Sequence, residues 1–443
     1  MDKVKVSNSN FHESNVNIAG YKHAAVSIIA SSVYLTTKIK IKNIPMLEDT
    51  FILSDILKSL GADVLFKNNT MLIDSSALSG YEIPQSLNEK IHGSLYLIPT
   101  ILGRTGKVKI GPSGGCQIGD MQSNGARPIQ HIVSVLQKFG AHFQLENNNL
   151  IGYCKGFDPC TIDIMDYSDS KEILTGPLVS GATKTAILAA VCTKMGTTVI
   201  HNPYFKPDVT ELLDFLSLVG YEIKADENSI HVTPPNAFKE ATHYLISDIT
   251  EIMTYISCSI YMKHALTLNN ITIDRVKKAL KPEIEYLNQM NINLEWEENC
   301  IRIPHVEKIK SVDIDVTSMG IYSDSHPFFS LMLLRGDRKS RITEHVWHHR
   351  FNYAEQLKKL DLNLEVVQNT VYITPGNPSN SSLLEASDLR SAAVLLLASL
   401  KSPGTTTITN VHHLKRGYED FIGKLKNLGA KIETISTKTL IRK

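Results

Sequence analysis

A pattern of apolar positions at helical spacing, followed by a short turn and an apolar strand, recurs six times along the chain. In chain order the repeats are LKSLGADVLF near Gly61, LQKFGAHFQL near Gly140, LSLVGYEIKA near Gly220, the weaker LNQMNINLEW near Asn291 and LKKLDLNLEV near Leu362, and LKNLGAKIET near Gly429. Glycine after the last apolar position ends a helix because it adopts the left-handed conformation without steric cost. The pattern predicts six helix–turn–strand segments, roughly 70 to 80 residues apart.

An apolar strand leading into a polar or proline-containing loop precedes each of these helices. The six segments are KIKIKNIP (38–45), KVKIGPSG (107–114), TTVIHNP (197–203), LTLNNIT (266–272), SRITEHV (340–346) and TTTITNV (405–411). Alternating β-branched residues predict strands, so the expected fold class is α/β with six repeated units. An irregular α/β protein with coincidental turns is the alternative.

Three units in each of two domains is the simplest grouping. The expected boundary lies near residues 242–248, between the third and fourth units. Residues 1–21 precede the first strand and are expected to pack with the other half. The predicted domains are therefore 22–246, and 1–21 together with 247–443.

Composition narrows the function classes. Lys and Arg total 46 against 45 for Asp and Glu, so the net charge gives no support to a nucleic-acid or membrane-surface role. No apolar run reaches the ~20 residues of a membrane helix, and the N-terminal segment lacks the apolar core of a signal peptide, so a cytoplasmic protein is expected. The six cysteines form no CxxC pair, which argues against a zinc site or a disulfide framework.

The loop from Arg104 to His131 carries the first candidate chemistry. It is rich in Gly and Pro and holds Cys116, with Arg127 a short distance along the chain. A thiol on an open loop near a cation suits an anionic substrate, because cationic neighbours favour the thiolate. A surface loop with an incidental cysteine is the equally weighted alternative.

Two helix starts in the first half suit anions. Gly20 and Lys22 open a helix of small residues, although a merely solvated lysine is a common alternative. Ser180 and Gly181 open another helix and suit phosphate oxygens, with helix capping an equally good interpretation. Neither GxxxxGK[ST] nor GxGxxG occurs with these loops, so a P-loop or dinucleotide-binding fold is not supported.

The second half adds acidic and cationic positions. Asp248 and Glu251 are spaced to share a helix face, and Asp324 lies in a polar loop where it is either functional or a helix cap. A metal site at the cluster His345, His348 and His349 is disfavoured because no carboxylate stands at ligand spacing. Cationic residues also recur on loops or helix starts, where they could converge on a multiply charged anion: Lys22, Arg127, Arg350, Arg390 and Arg416.

Together these motifs resemble the enolpyruvyl transferases, in particular the branch that acts on UDP-N-acetylglucosamine in peptidoglycan synthesis. The likeness covers almost the whole chain in the family's order: AGYKHAA, the GGCQIG loop, GARP, GATKTAILAA, GTTVIHN, SDITE, the Asp324 loop, ITEHVWHHRF, SDLRSAA and HLKRGYE. The resemblance implies a two-domain inside-out α/β barrel of six βαβαββ-type repeats. It also implies transfer of the enolpyruvyl group of phosphoenolpyruvate (PEP) to a hydroxyl by addition and elimination, with release of phosphate.

The resemblance also implies roles for individual residues. Cys116 matches the thiol that protonates the PEP methylene, and Asp324 matches the acid/base that takes the acceptor hydroxyl proton; with Lys22 and Arg416 they form the expected catalytic set. Lys22, Arg127 and Arg416 match phosphate-binding positions. Arg350, Asp388 and Arg390 match residues around the PEP carboxylate and the reacting centre. The expected substrate-binding positions are Arg127, Arg350, Asp388, Arg390, His23, His92, Pro128, Ile129, Gln130, Ser180 and Gly181.

Departures from the family fall mostly on contacts to the sugar nucleotide. His23 stands for an asparagine, His92 for an arginine, Gln130 for an aspartate, and Pro177 for the lysine that helps to hold the diphosphate. The segment between Cys116 and Arg127 is also longer than usual. The resemblance implies a uridine nucleotide such as UDP-N-acetylglucosamine as the acceptor. These departures give roughly equal weight to the alternative, UMP or another nucleoside of natural-product biosynthesis.

A catalytically silent nucleotide-binding relative is the competing class, against which the retained Cys116, Asp324, Arg127 and Arg416 argue. The expected partners are PEP and a nucleotide or nucleotide-sugar acceptor, with neither nucleic acid nor membrane. No cofactor and no metal are expected, and the expected state is a monomer or small homo-oligomer.

Overall fold

The structure is a computed structural model that describes residues 3–114 and 129–435. These residues divide into two compact units. One unit runs from Gly20 to Ile246, and the other combines the residues up to Ala19 with those from Ser247 onward. The chain thus leaves the second unit after its first strands and returns to it near the middle of the sequence.

The described residues contain strands of two to five residues. In chain order they are β1 Lys3–Ser7, β2 Asn15–Asn17, β3 Lys38–Lys42, β4 Asp63–Lys67, β5 Thr70–Asp74, β6 Lys107–Ile110, β7 His142–Glu146, β8 Asn149–Tyr153, β9 Thr161–Asp163, β10 Thr198–His201, β11 Glu222–Ala225, β12 Ser229–Thr233, β13 Ala241–Tyr244, β14 Leu266–Asn269, β15 Glu295–Trp296, β16 Cys300–Ile303, β17 Ile314–Val316, β18 Ser340–Glu344, β19 Leu364–Val367, β20 Thr370–Ile373, β21 Leu383–Glu385, β22 Thr405–Thr409 and β23 Lys431–Ile435.

Helices alternate with these strands. They are α1 Lys22–Ser32, α2 Glu48–Ser59, α3 Gln85–Asn88, α4 Leu97–Thr105, α5 Gln130–Lys138, α6 Val179–Val191, α7 Pro207–Leu218, α8 Ile249–Met262, α9 Ile273–Ala279, α10 Lys281–Gln289, α11 His326–Leu333, α12 Asn352–Lys358, α13 Leu389–Ser399 and α14 Phe421–Leu428, with short 3-10 helices at Gly93–Tyr96, Ile164–Tyr167 and Val411–Arg416. All six strand segments predicted from the sequence form strands, as β3, β6, β10, β14, β18 and β22.

Within the described residues the strands form six small sheets, five with four strands and one with three. A typical sheet is β17-β18-β20-β19, in which β17 and β18 are parallel and β18, β20 and β19 are antiparallel neighbours. Helix α11 connects β17 to β18, and α12 connects β18 to the β19–β20 hairpin. The repeated sequence pattern thus corresponds to a repeated supersecondary unit.

Each sheet turns one face to the core, as the pairing of β3 with β5 shows. Ile39 pairs with Ile73 and Ile41 with Met71, and all four side chains are buried. The lysines that alternate with these residues on β3 lie on the other face, where Lys38 and Lys42 are exposed. Period-2 alternation therefore sets which face packs.

Two sets of inner helices form the cores. Helices α1, α4 and α6 contact one another in the unit of residues 20–246, and α8, α11 and α13 contact one another in the other unit. Every residue of α13 is buried, as are nearly all residues of α6 and α8. Helices that are apolar on all sides are stable inside a protein rather than on its surface.

The predicted helix stops are confirmed by the backbone. Gly61, Gly140, Gly220 and Gly429 all have positive φ. In the two weaker repeats the left-handed position is taken by Asn291, with φ 61°, and by an aspartate, Asp361, with φ 63°. Asn and Asp tolerate this conformation better than most residues, so the turn persists without glycine.

The N-terminal strands complete sheets of the second unit. Strand β1 lies between β22 and β23 in the sheet β21-β22-β1-β23, and β2 pairs in parallel with β14. In the other unit β13 pairs in parallel with β3, although the two are far apart in sequence. Buried glutamates hold the chain segments that pass between the units: Glu251 accepts a hydrogen bond from Ala19 N (2.8 Å), and Glu211 accepts one from Ile246 N (3.1 Å).

Candidate active site

Asp324 is the centre of an ion-pair cluster in the second unit. Ser325, not Asp324, occupies the N-cap of α11, so the helix-cap alternative for Asp324 is wrong. Its carboxylate oxygens instead accept hydrogen bonds from two arginines, Arg350 Nη2 on Oδ1 at 2.6 Å and Arg390 Nη2 on Oδ2 at 2.7 Å. The two arginine side chains are 7% and 9% exposed, whereas Asp324 is 32% exposed. An open carboxylate therefore lies between two buried cations.

Both guanidinium groups stay charged despite their burial. Burial alone would lower the pKa of Arg350, but the neighbouring carboxylates of Asp324, Asp388 and Glu344 raise it above its ordinary value. The pKa of Arg390 is raised in the same way, against the effect of burial and chiefly by Asp324. Its Nε atom is buried and has no hydrogen-bond partner among the described residues. The cluster thus presents an unused buried donor suited to an anionic ligand.

Asp388 and Arg416 belong to the same neighbourhood. Asp388 caps α13, where Oδ1 accepts hydrogen bonds from Arg390 N (2.9 Å) and Ser391 N (3.0 Å). The 3-10 helix Val411–Arg416 packs against α13. Its His413 has a lowered pKa because of burial and the charge of Arg416, while Asp388 acts in the opposite direction. The structure therefore brings together Asp324, Arg350, Asp388, Arg390 and Arg416.

Lys22 occupies the first position of α1 in the other unit. Its Nζ lies 3.2 Å from Asp49 Oδ2, and the two side chains are 11% and 8% exposed, so the solvated-lysine alternative is wrong. His23 follows it, with its ring 5.5 Å from that of Tyr21. His92 lies immediately before the 3-10 helix Gly93–Tyr96 that leads into α4.

Ser180 and Gly181 are the second and third residues of α6. The N-cap position is Leu178 and has no side-chain hydrogen bond, so the capping interpretation of Ser180 is wrong. A Cβ atom added to Gly181 would lie 2.2 Å from His131 Nε2, which shows how closely α5 approaches this helix. Ile129 is the N-cap residue of α5, and Gln130 is its first, exposed residue.

A buried ion pair joins α6 to α7, and it was not predicted from the sequence. Lys184 Nζ lies 2.6 Å from Asp208 Oδ2, with side chains 5% and 7% exposed. Lys184 also lies 4.5 Å from the centre of the Tyr96 ring. Burial, together with the charge of Lys184, lowers the pKa of His131 to about 4, so this histidine is neutral at physiological pH. The signal in the sequence was a lone lysine within the otherwise uncharged helix VSGATKTAILAAV.

Three of the expected site residues, Cys116, Arg127 and Pro128, lie outside the described residues, and their roles rest on the sequence. Among the residues that the structure describes, no group of three His, Cys, Asp or Glu side chains is placed to hold a metal ion. In the histidine cluster of the second unit, His345 Nε2 contacts Asp315 at 3.0 Å and His348 Nδ1 contacts Asn369 at 3.2 Å.

No helix in the described ranges is long and apolar enough to cross a membrane.

An α/β fold of repeated sheets, with two buried arginines around one carboxylate, fits an enzyme that acts on small anions. Residues 6–425 match the family of EPSP synthase (3-phosphoshikimate 1-carboxyvinyltransferase), so the chain belongs to this family, the enolpyruvyl transferases. The protein is an enolpyruvyl transferase, as the resemblance implied.

Individual relatives are similar to this chain over nearly its whole length. The chain is 32% identical over 439 residues to UDP-N-acetylglucosamine 1-carboxyvinyltransferase of Buchnera aphidicola subsp. Schizaphis graminum (strain Sg), covering 98% of this chain and 100% of the relative. The corresponding protein of Wolbachia pipientis wMel is 31% identical over 430 residues, covering 95% and 96%.

Solved structures of enolpyruvyl transferases have a similar fold. The crystal structure of the enolpyruvyl transferase NikO from Streptomyces tendae has a TM-score of 0.91 and 32% identity, covering 98% of each chain. EPSP synthase of Acinetobacter baumannii has a TM-score of 0.75 at 15% identity, covering 98% of this chain and 100% of that one, and supports the fold alone. The predicted α/β fold class is confirmed.

Proposed function

We propose that this enolpyruvyl transferase moves the 1-carboxyvinyl group of PEP to a hydroxyl of a uridine nucleotide, with release of inorganic phosphate. The observation that carries the proposal is the Asp324 carboxylate between Arg350 and Arg390. Each arginine has five N–H donors, so each can bind a substrate oxygen while keeping its contact to Asp324. The Nε of Arg390, which has no hydrogen-bond partner within residues 3–114 and 129–435, is a direct candidate for the PEP carboxylate.

The proposed reaction is an addition followed by an elimination. Asp324 takes the proton of the acceptor hydroxyl while the hydroxyl oxygen forms a bond to C2 of PEP. Cys116 gives a proton to the methylene carbon C3. In the second step the C2–O bond to phosphate breaks and the departing phosphate takes up the proton held by Asp324, while C3 returns a proton to the Cys116 thiolate and the double bond re-forms. Fixed cations around the reacting anion lower the free energy of both charged transition states.

The remaining expected residues are proposed to bind the phosphate groups and the nucleotide. Lys22, His23, Ser180 and Gly181 lie at the starts of α1 and α6, where backbone N–H groups favour anions. His92, Ile129 and Gln130 are proposed as acceptor contacts, and so are Arg127 and Pro128. If Lys22 and Asp324 both take part in the reaction, Lys22→Ala and Asp324→Asn should each lower turnover strongly.

The acceptor is the finer part of the proposal. UDP-N-acetylglucosamine is the first candidate, because the relatives that are 31% and 32% identical to this chain are named for it. UMP is the second candidate. The residue that favours it is Pro177, which precedes α6 where the family resemblance expects a lysine for the diphosphate. Without that cation, a monophosphate acceptor loses less binding energy than a diphosphate one.

The test is PEP-dependent phosphate release with UDP-N-acetylglucosamine, UMP and uridine supplied separately. Release with one of the nucleotides, strongly reduced in Asp324→Asn, is the expected result, and no release with any of the three would contradict the proposal. Pro177→Lys separates the acceptors. It should raise kcat/KM for the diphosphate relative to UMP by about tenfold, the ratio that corresponds to one charge-assisted hydrogen bond.

A further inference from the structure

The loop that carries Asp324 is held by two buried glutamates. Glu283 on α10 is 0% exposed, and its Oε1 accepts hydrogen bonds from Tyr322 N (2.8 Å) and Ser325 Oγ (3.0 Å). Glu344, the last residue of β18, is 1% exposed, and its Oε2 accepts a hydrogen bond from Ser323 Oγ (2.6 Å). Residues on both sides of Asp324 are therefore bound to buried carboxylates.

Glu344 also holds the segment that leads to Arg350. Its Oε1 accepts hydrogen bonds from Val346 N (2.7 Å) and Trp347 N (3.2 Å), which fixes the turn after β18. Arg350 closes the arrangement by donating from Nη2 to Ser323 O (3.4 Å) as well as to Asp324. One buried carboxylate thus fixes the chain on both sides of the Asp324–Arg350 ion pair.

Glu344 has polar surroundings in the protein interior, and α11 contributes one of the neighbouring side chains. His326, the first residue of that helix, is fully buried; its Nε2 lies 3.6 Å from Glu344 Oε2 and its Nδ1 lies 3.2 Å from the Tyr353 hydroxyl. Burial raises the pKa of Glu344, while the hydrogen bonds from Ser323, Val346 and Trp347 and the charge of Arg350 oppose this effect. Burying two carboxylates beside one loop costs free energy that apolar residues would not cost.

We infer that Glu283 and Glu344 are positioning residues that fix the Asp324 carboxylate, and through Val346 and Trp347 also Arg350, for the transfer step. The inference rests on the proposed role of Asp324. Catalytic groups depend on their supporting contacts because a displacement of about 1 Å can lower the rate on the order of 100-fold. The two glutamates act through the loop and need no contact with substrate.

The experiment compares Glu283→Leu and Glu344→Leu with Glu283→Gln and Glu344→Gln, measured as kcat and KM for each substrate per folded molecule. Both leucine variants should lower kcat on the order of 10- to 100-fold. Glu344→Leu should also raise the KM for PEP, since Arg350 loses its support. The glutamine variants keep an acceptor oxygen and should retain activity close to the wild-type value. Asp337→Leu is the matched control, because Asp337 binds Ser311 N (2.9 Å) just beyond the opposite end of α11.

A double-mutant cycle with Asp324→Asn shows whether the effect passes through Asp324. Adding either leucine substitution to Asp324→Asn should lower kcat little further. Full additivity in this cycle, or leucine variants with unchanged kcat and KM per folded molecule, would overturn the inference. If the leucine variants do not fold, Ser323→Ala removes one of the loop's bonds and serves the same comparison. A wild-type protein inactive with every acceptor would refute the proposed function and this inference with it, whereas an active wild type with unaffected variants would refute the inference alone.

Discussion

Replacing Lys184 with methionine tests the buried ion pair of α6. The substitution keeps the length of the side chain but leaves the Asp208 carboxylate, 2.6 Å away, without its cation. Burial alone would raise the pKa of Asp208, and it is lowered in the wild-type protein because of Lys184. Breaking a buried pair by removing one partner costs about 3–5 kcal/mol, since the remaining charge is desolvated and uncompensated. The free energy of unfolding should fall by that amount at pH 7.

The loss of stability in Lys184→Met should depend on pH. In the wild-type protein the Asp208 pKa is lowered, so its stabilising contribution is present above the unfolded pKa of about 4 and is lost as the pH falls through the folded value. In Lys184→Met burial should raise the pKa of Asp208 instead. The destabilisation should then be largest at neutral pH and smaller at about pH 5, where the carboxylate takes up a proton in the folded state.

The assay is urea unfolding followed by far-UV circular dichroism at both pH values, together with hydrogen exchange in peptides from α6. The double variant Lys184→Met/Asp208→Leu should recover much of the loss, because it removes both charges. Lys224→Met is the matched control. Its pair with Glu222 has nearly the same separation, 2.7 Å, but the side chains are 75% and 60% exposed, so the stability should not change measurably. A Lys184→Met variant as stable as this control at pH 7 would refute the reasoning.

Three further predictions concern the site. Asp324→Asn should keep the fold and lower turnover by about 10²- to 10⁴-fold in the phosphate-release assay, and unchanged turnover would remove the acid/base assignment. Fosfomycin, an epoxide analogue of PEP, should alkylate Cys116, which intact-protein mass spectrometry would detect, and a Cys116→Ser control should gain no adduct; an unmodified wild-type protein with acceptor present would contradict the cysteine role. Gly181→Ala should destabilise the protein by about 1–3 kcal/mol in thermal unfolding, because the added methyl group clashes with the His131 ring. Unaltered stability would show that His131 and α5 can shift to accommodate the methyl group.

Local patterns were sufficient to predict the repeated elements. Alternation identified strands such as β3, and the left-handed stops at Gly61 and Gly140 ended helices where expected. The fold class followed from six copies of the same pattern. The bounds were less certain, since predicted strand segments such as 38–45 included loop residues beyond Lys42.

The partners of the charged residues could not be predicted, because they depend on tertiary distance. Lys184 and Asp208 are separated by 24 residues in the sequence, and Asp324 and Arg390, which form an ion pair, are separated by 66 residues. Asp324 illustrates the limit: its place before an apolar helix suggested a cap as readily as a functional role, and local sequence could not separate the two. Glu344 went unnoticed because a carboxylate at the end of a strand is usually solvated.

Strand β1 sets an order in which the chain can fold during synthesis. Its neighbours β22 and β23 lie far later in the chain, so β1 leaves the ribosome long before its pairing partners are made. Every strand described in the sheets of residues 20–246 comes from within that unit, so the unit can form while the rest of the chain is still being made. A ribosome-stalled nascent chain ending shortly after residue 300 should therefore protect α6 from protease while β1 stays accessible.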